Sequence, residues 1–562
     1  MKSIFVLLLT LFSLAGAANA IPYYVSDCGR GAISQCVAGS DSNAGTSPNA
    51  PWKTCAKVSD RFQSLAMGDH VLFARGSAQT ACKLYYLSNL NSRATNPIVL
   101  GAYMPSWAPA ATAAPVLNGT DAMFTLSLMN SGNSTHDEGY VVQDLHFVGT
   151  GINSKITAIT MGNDVKNVTI QRVEVEQSVV GIQCNGGAGN PLASGSDGIT
   201  EHVVIRNSNI HHNRGIGILS GCSDTLIENN TLDSNGVGMF DHQIYLTGAA
   251  VGAVKLTTKQ VVIRGNTLTN NSPYASSTAA APTPGRCNAV AIVVHGLQDG
   301  IVIENNTISE PTVPVSGSCW GISVDSGGYP DAEGFSNVSI RSNTLINYAI
   351  GIGVDMCNTC TVENNYIYTA RPASSGIVIP SKYFQAAAAG NTLNNNLRVR
   401  NNTVYLKNPD YGSVGIRLSR DGSKHSVVSN LIYFGPGSTS ATACFNTSGL
   451  PTTAFESFDY NLCYYSAKAG QWDKMRASLA VQRAAGFDVH SLALDPLVTP
   501  PLAPQYVGAV SSISPVIRKG HPTLSSKLGL GGLLRDLVSD IGAQQAGATV
   551  VVPSTVTGMS IQ

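Results

Sequence analysis

The sequence is short of charge. Lys and Arg number 34 and Asp and Glu 34, so charged residues are 12% of the chain and the formal net charge is zero. That is about half of ordinary usage. The balance excludes the basic excess of a nucleic-acid binder and gives no pull toward an anionic lipid surface. Any cationic site must be local. Long apolar runs are missing too. Beyond residue 20 nothing approaches the roughly eighteen unbroken apolar residues of a membrane span, so no span is expected in the mature chain. Low charge is not disorder here, because 43% of the residues are hydrophobic and can fill a core. Asn is plentiful, with 42 copies, yet none lies after Asn461. A chain of 562 residues implies several domains unless one elongated repeat absorbs most of it.

Residues 1–20 carry Lys2, a mostly apolar run from Ile4 to Ala15, and the small-x-small triplet Ala18-Asn19-Ala20. This pattern is that of a cleavable secretory signal, too short to span a bilayer. The mature chain is expected to begin near Ile21, in a secreted or periplasmic setting. All twelve cysteines follow that point. An even count in an oxidising compartment implies disulfides. Local pairs such as Cys28 with Cys36, Cys55 with Cys82 and Cys444 with Cys463 are open possibilities, and spacing does not fix the connectivity. Cys357-Asn358-Thr359-Cys360 lacks the helix start that a redox pair needs.

The middle of the chain repeats one pattern: apolar, two variable residues, Asn, one variable residue, apolar. Ile227-Glu228-Asn229-Asn230-Thr231-Leu232, Ile263-Arg264-Gly265-Asn266-Thr267-Leu268 and Ile303-Glu304-Asn305-Asn306-Thr307-Ile308 are clear copies. Others centre on Asn343, Asn365, Asn402 and Asn430, with Ser208 in an earlier one. Their spacings run 22, 36, 40, 37, 22, 37 and 28 residues; the shortest is one bare coil and the excess is inserted loop. Period-two alternation puts apolar side chains inward. Asn suits the bend between strands, since it tolerates left-handed backbone and bonds neighbouring backbone groups. Stacked once per coil, the Asn side chains form a ladder. A second strand follows, built on Gly-Ile-x-apolar: Gly181-Ile182-Gln183-Cys184, Gly215-Ile216-Gly217-Ile218, Gly321-Ile322-Ser323-Val324, Gly351-Ile352-Gly353-Val354, Gly376-Ile377-Val378-Ile379 and Gly415-Ile416-Arg417-Leu418. Several short strands per coil, with no helical period between them, predict an all-β fold, a right-handed parallel β-helix. The expected division is an N-terminal cap with first coils over 21–125, a core over 126–465, and a closing segment over 466–562. Within the last, helical spacing of Trp472, Met475, Leu479 and Val481 predicts a helix from Gln471 to Ala485 that shields the end of the stack.

The ends carry a resemblance. Tyr24-Val25-Ser26, Asp41-Ser42-Asn43-Ala44-Gly45-Thr46-Ser47, Pro51-Trp52-Lys53-Thr54 and Gly68-Asp69-His70-Val71-Leu72-Phe73 are similar to the N-terminal cap of secreted β-helix proteins in the pectate-lyase-like superfamily, family-nine polysaccharide lyases among them. Gly486-Phe487-Asp488-Val489-His490-Ser491-Leu492, Asp495-Pro496-Leu497, Ser514-Pro515-Val516-Ile517 and Asp540-Ile541-Gly542-Ala543 resemble the exit linker and closing turns. The likeness spans residues 22–545 and implies the fold. It also implies a substrate groove along the Gly-Ile-x-apolar strand. It does not fix the activity.

In each copy of that strand the residue between the two apolar positions points out, as does the one after them. The first outward column is Gln183, Gly217, Tyr245, Val293, Ser323, Gly353, Val378 and Arg417. The second is Asn185, Leu219, Thr247, His295, Asp325, Asp355, Pro380 and Ser419. Lys382 and Arg420 lie just past the strand. Coils about 4.8 Å apart stack His295, Asp325 and Asp355 on one face. Two stacked carboxylates suit a calcium ion or an acid and nucleophile pair. Lys382 or Arg417 is a candidate base for β-elimination from a uronate, with His242, Tyr245 and His295 as acid–base groups. Asp241, beside His242, is placed to orient an imidazole. Asp241, Thr247, Ser323, Arg420 and Trp320 are candidate substrate contacts, and Tyr274 and Tyr329 are candidate sugar-stacking rings. His211-His212-Asn213 reads as a surface turn, since adjacent strand residues point opposite ways. The expected function is cleavage of a uronate polysaccharide by a monomeric lyase, with calcium as the expected cofactor. Glycoside hydrolysis, epimerisation and non-catalytic carbohydrate binding on the same groove are the alternatives.

Overall fold

The computed structural model describes residues 20–544 except 111, 121–122, 131–137, 152–153, 163, 188–197, 252–253, 277–278, 328–332, 382–393, 420, 449, 468–469, 500–508, 533 and 537. The expected signal segment, apart from its last residue, lies outside that range, as do Lys382, Arg420 and Tyr329.

Three long parallel sheets, of 14, 13 and 13 strands, run along the molecule. Each coil contributes one strand to each sheet, so the chain is a parallel β-helix. The first sheet, beginning at Pro22–Val25, precedes the Asn corner; the third, with strands such as Thr307–Ser309, follows it. The second holds the Gly-Ile-x-apolar strands, from Leu84–Leu87 to Gln471–Asp473. A small sheet of four strands interrupts the turn between second and first sheets over the middle coils. Strand Phe124–Met129 crosses the expected boundary at 125, and the second sheet continues past 465 to Asp473. The inward columns fill one continuous core: Ile182, Ile218, Ile244, Ile292, Ile322, Ile352, Ile377 and Ile416 are all buried.

The Asn ladder forms as expected. Asn230 takes the Asn266 Oδ1 on its backbone N–H at 2.9 Å and its Nδ2 at 3.0 Å, and donates to the Ile205 carbonyl at 2.9 Å. The same exchange repeats through Asn306, Asn343, Asn365, Asn402 and Asn430 to Asn461. The bend itself sits one residue earlier than expected. Asn229, Gly265, Asn305, Ser342, Asn364 and Asn401 adopt the left-handed backbone, and the ladder residue follows each of them. An Asn-Asn pair therefore divides the work: the first turns the chain and the second bonds the stack.

Two other expectations are corrected. The second-sheet copy at 215–218 is set two residues later, because Ile182 pairs with Ile218 and Gln183 with Leu219. Gly217, not Gly215, is thus the partner of Gly181. A Cβ on Gly181 would lie 2.6 Å from the Gly217 carbonyl oxygen, so close approach of neighbouring strands dictates the Gly column. A two-residue slip keeps each side chain on its face. The closing helix is short, Leu479–Ala484, capped by the Ser478 hydroxyl. Gln471–Asp473 is instead the last strand of the second sheet, with Trp472 buried, while Met475 and Val481 face solvent. The alternation of the strand and the helical spacing overlap there.

All twelve cysteines pair. Besides the three expected local pairs, Cys184 joins Cys222, Cys287 joins Cys319, and Cys357 joins Cys360. At the far end the chain folds back along the Asn corner. Ser526 N–H donates to Asn401 Oδ1, and Arg535 Nη2 donates to Asn364 Oδ1. No helix among the described residues is long and apolar enough to cross a membrane.

Candidate active site

Strands Ile244–Leu246, Ala289–Val294 and Cys319–Val324 are neighbours in the second sheet, with Tyr245 level with Val293 and Val293 level with Ser323. Their outward side chains floor a cleft of about 480 Å³ lined by His242, Tyr245, His295, Trp320, Met239 and Phe240 among others. The Tyr245 ring packs edge-on between two imidazoles, its centroid 5.4 Å from His242 and 5.5 Å from His295. His242 Nδ1 lies 3.0 Å from the Val290 carbonyl and 3.2 Å from the Val290 N, so the backbone of one residue fixes the ring. His295 Nδ1 meets the Asp325 backbone carbonyl. A carbonyl can only accept, so Nδ1 carries the proton and Nε2 is the basic nitrogen of the neutral ring.

Asp241 does not orient His242. Its Oδ2 accepts from the N–H groups of Val237 and Gly238 at 3.0 and 2.8 Å. The carboxylate closes the loop that presents Met239 and Phe240, 61% and 77% exposed, at the mouth of the cleft. With Trp320 opposite, this gives apolar walls suited to the flat face of a sugar ring. Tyr274 is buried under the Arg214 guanidinium and cannot be such a wall.

The column His295, Asp325, Asp355 exists, since Asp325 N–H donates to Val294 O and Asp355 N–H to Val324 O. Its carboxylates are not on the open face. Asp325 is 0% exposed and accepts from the Ser323 and Ser381 hydroxyls, each at 2.6 Å. Asp355 accepts from Met356 N–H and Asn394 Nδ2, at 2.8 and 3.0 Å. Burial pushes the Asp355 carboxyl up to about 6, with Asp421 and Asp325 adding to the effect. These positions end their strands, where the chain turns into the small sheet and the corner wraps them. The donors around them are N–H and hydroxyl groups, and N–H groups cannot ligate calcium, which takes six to eight oxygens. The two aspartates do not make a calcium cage.

Thr247 lines a second, larger depression of about 820 Å³ on the same sheet, with Tyr86, Asn130, Gln183 and Asn185. Arg417 stands farther along and donates to the Pro380 carbonyl at 2.9 Å. The structure thus brings together His242, Tyr245, His295 and Trp320, buries Ser323, Asp325 and Asp355 beside them, and leaves Arg417 apart. Glu333, Ser381 and Asn394 were missed. Glu333 accepts from the N–H groups of Gly296 and Gly327, tying the loop beside His295. No sequence pattern marks it, because it sits in an insertion.

The sequence-family description "Right handed beta helix region" matches residues 149–334. Over 65 residues, 12% of this chain, the sequence is 42% identical to a lacto-N-biosidase of Bifidobacterium longum subsp. longum, and it spans 4% of that protein's length. Among solved structures, a GH136 lacto-N-biosidase from Eubacterium ramulus aligns at a TM-score of 0.46 and 14% identity, covering 80% of this chain and 67% of that one. An alginate lyase from Paenibacillus sp. str. FPU-7 aligns at a TM-score of 0.39 and 14% identity, covering 63% and 97%. The three stacked parallel sheets and the match over residues 149–334 show that the chain is a right-handed parallel β-helix.

Proposed function

We propose that this protein is a polysaccharide-active enzyme that cleaves a uronate-containing chain by β-elimination in the Tyr245 cleft. The observation that carries the reading is the His242–Tyr245–His295 stack on the floor of an apolar-walled cleft. His295 Nε2 takes the proton from C5 of the uronate. The C4–O bond to the leaving sugar breaks, the C4–C5 double bond forms, and the Tyr245 hydroxyl protonates the leaving oxygen. His242 donates a ring N–H to the uronate carboxylate and steadies the charge that develops there. Full burial of Asp325, 0% exposed, supports elimination over hydrolysis by an Asp325–Asp355 pair. Six disulfides support a secreted or periplasmic setting.

A second reading, glycoside hydrolysis, draws on the 65-residue match to a lacto-N-biosidase. One experiment separates the two. The protein is incubated with uronate polysaccharides and with neutral oligosaccharides, and ultraviolet absorbance of unsaturated ends is followed beside reducing ends. Absorbance that rises with wild type and not with Tyr245→Phe supports elimination. Reducing ends without absorbance overturn it in favour of hydrolysis.

A further inference from the structure

The larger depression on the second sheet differs in chemistry from the Tyr245 cleft beside it. It holds about 820 Å³, and among the described residues no charged side chain lines it. The cleft, by contrast, is lined by two imidazoles. The two hollows adjoin. Leu219 is level with Tyr245 and lines the depression, as does Thr247, while Tyr245 lines the cleft. The far end of the depression is Tyr86, on strand Leu84–Leu87. Strands Phe124–Met129, Thr157–Gly162, Val180–Cys184 and Ile216–Ser220 lie between Tyr86 and Tyr245, so five coil steps separate them. At about 4.8 Å per step that is about 24 Å, room for a run of sugars.

The lining is built at three points. At the far end, Leu84 is level with Leu126 and Leu87 with Leu128, so the strand carries an extra residue. Such a bulge re-aims a side chain. Tyr86 takes the left-handed backbone, φ 52°, and is 54% exposed. Tyr85 and Phe124 brace its ring in T-shaped contact, with centroids 6.3 and 6.4 Å away. Midway, Gly162 is level with Met129 on the outer face, and a Cβ there would lie 3.2 Å from Asn185 Nδ2. The missing side chain keeps the hollow open. Beside it, Gln183 Nε2 donates to Asn185 Oδ1 at 2.9 Å. That bond leaves Gln183 Oε1 to accept and Asn185 Nδ2 to donate. A sugar hydroxyl or acetamido group does both, so the amide pair matches it. A carboxylate only accepts, and no cation in this lining offsets the cost of taking its charge out of water.

We propose that this depression binds uncharged sugar residues of the substrate, next to the uronate held in the Tyr245 cleft. The substrate class is then a mixed polysaccharide, with uronates interspersed among neutral sugars, and not a pure polyuronate. This class assignment rests on the elimination reading of the cleft; the neutral-sugar site itself does not. Tyr86 stacks on one ring at the far end. The Gln183–Asn185 pair takes the polar groups of another.

The test is calorimetry on the full chain, with cellotetraose, mannotetraose and N-acetylchitotetraose as neutral probes and tetragalacturonate and tetramannuronate as charged ones. Wild type is expected to bind at least one neutral probe. Tyr86→Ala removes the stacking ring, and Gly162→Leu fills the hollow. Each should weaken neutral binding at least about 10-fold, the scale of one lost aromatic contact. Any affinity for the tetrauronates belongs to the cleft and should be the same in all three proteins. Circular dichroism checks that each variant is folded. No neutral binding by wild type, neutral binding that either variant leaves unchanged, or a tetrauronate affinity that both variants lower, overturns the proposal. Unsaturated products without neutral binding would keep the elimination reading and strike this site. Neutral binding of the expected pattern, with no unsaturated product from any uronate polymer, would keep this site and strike that reading.

Discussion

Two columns of side chains climb this molecule at the same spacing of about 4.8 Å, and they have opposite characters. At the corner between the first and third sheets the same residue recurs from Asn230 to Asn461 and repeats the same bonds. On the outer face of the second sheet the column reads Gln183, Leu219, Tyr245, Val293, Ser323, Gly353, Val378 and Arg417, with only Val used twice. A buried amide is tolerable only where its neighbours above and below satisfy it, so the corner must repeat. The open face has no such constraint and is available for chemistry. Repetition marks the stability of this fold, and interruption marks its sites.

The strongest way to break that comparison is to remove one rung. Asn306→Ala deprives Asn266 of the acceptor for its N–H and Nδ2, removes the Nδ2 donor from Ile263 O, and leaves Asn343 Oδ1 with only the Asn306 backbone N–H. Each buried group left unmade costs about 1–3 kcal/mol, so a loss of about 4 kcal/mol is expected in urea unfolding. The preceding residue is the control. Asn305 has φ 54°, where Gly is at ease, so Asn305→Gly should change stability by less than about 0.5 kcal/mol. Equal effects at the two positions would mean that the corner is held by its turn and not by its ladder.

Next in size is a buried group that does not repeat. The Asp355 carboxyl is pushed up to about 6, chiefly by burial. The folded state therefore holds its proton more tightly than the unfolded chain. The associated stability is present below about pH 4, is lost as pH rises toward 6, and stays lost above it. Two units correspond to about 3 kcal/mol. Asp355→Asn should flatten the unfolding curve between pH 4 and 6 and be more stable than wild type at pH 8. Asp488 and Glu310, at about 7 and about 8, titrate higher and are left in place. An unchanged pH profile in the variant would locate the titrating group elsewhere.

Tyr245→Phe probes the varied column itself. Loss of the hydroxyl should lower kcat by about 100-fold, the low end for a proton-transfer group, with the unfolding midpoint unmoved, because Tyr245 is half-buried with its ring between two imidazoles. A shift in the midpoint with activity retained would make the residue part of the packing.

The same contrast explains what could be read from the sequence. The ladder was legible because a repeating requirement leaves a repeating residue, down to the spacings of 36, 40 and 37 residues. Tyr245 and His295 were legible only as positions in register, once the inward Ile of each copy was aligned, and Trp320 only as an aromatic ring beside an inserted loop. The burial of Asp325 was not, because Ser381 reaches it across two coils, a separation of 56 residues, and no local pattern encodes such a contact. Asp241 and His242 look like a dyad in sequence, yet adjacent residues on a loop need not face each other, and here Asp241 serves Val237 and Gly238.

The smallest effect is expected where the repeat ends. Among the described residues the first coil has no coil below it, and helix Cys55–Phe62 buries Val58 and Phe62. Thr54 starts that helix: its hydroxyl accepts from Lys57 N–H at 3.2 Å and donates to Asp41 Oδ2 at 2.8 Å. Loss of an N-cap costs about 1 kcal/mol. The helix is also pinned at its first residue by the Cys55–Cys82 disulfide, which limits what fraying can release. Thr54→Ala should therefore lower stability by about 1 kcal/mol, and Thr54→Ser, which keeps both bonds, by a few tenths. A larger loss in Thr54→Ala than in Asn306→Ala would reverse the ranking, since it would place the stability of the stack in its lid rather than in its repeated corner.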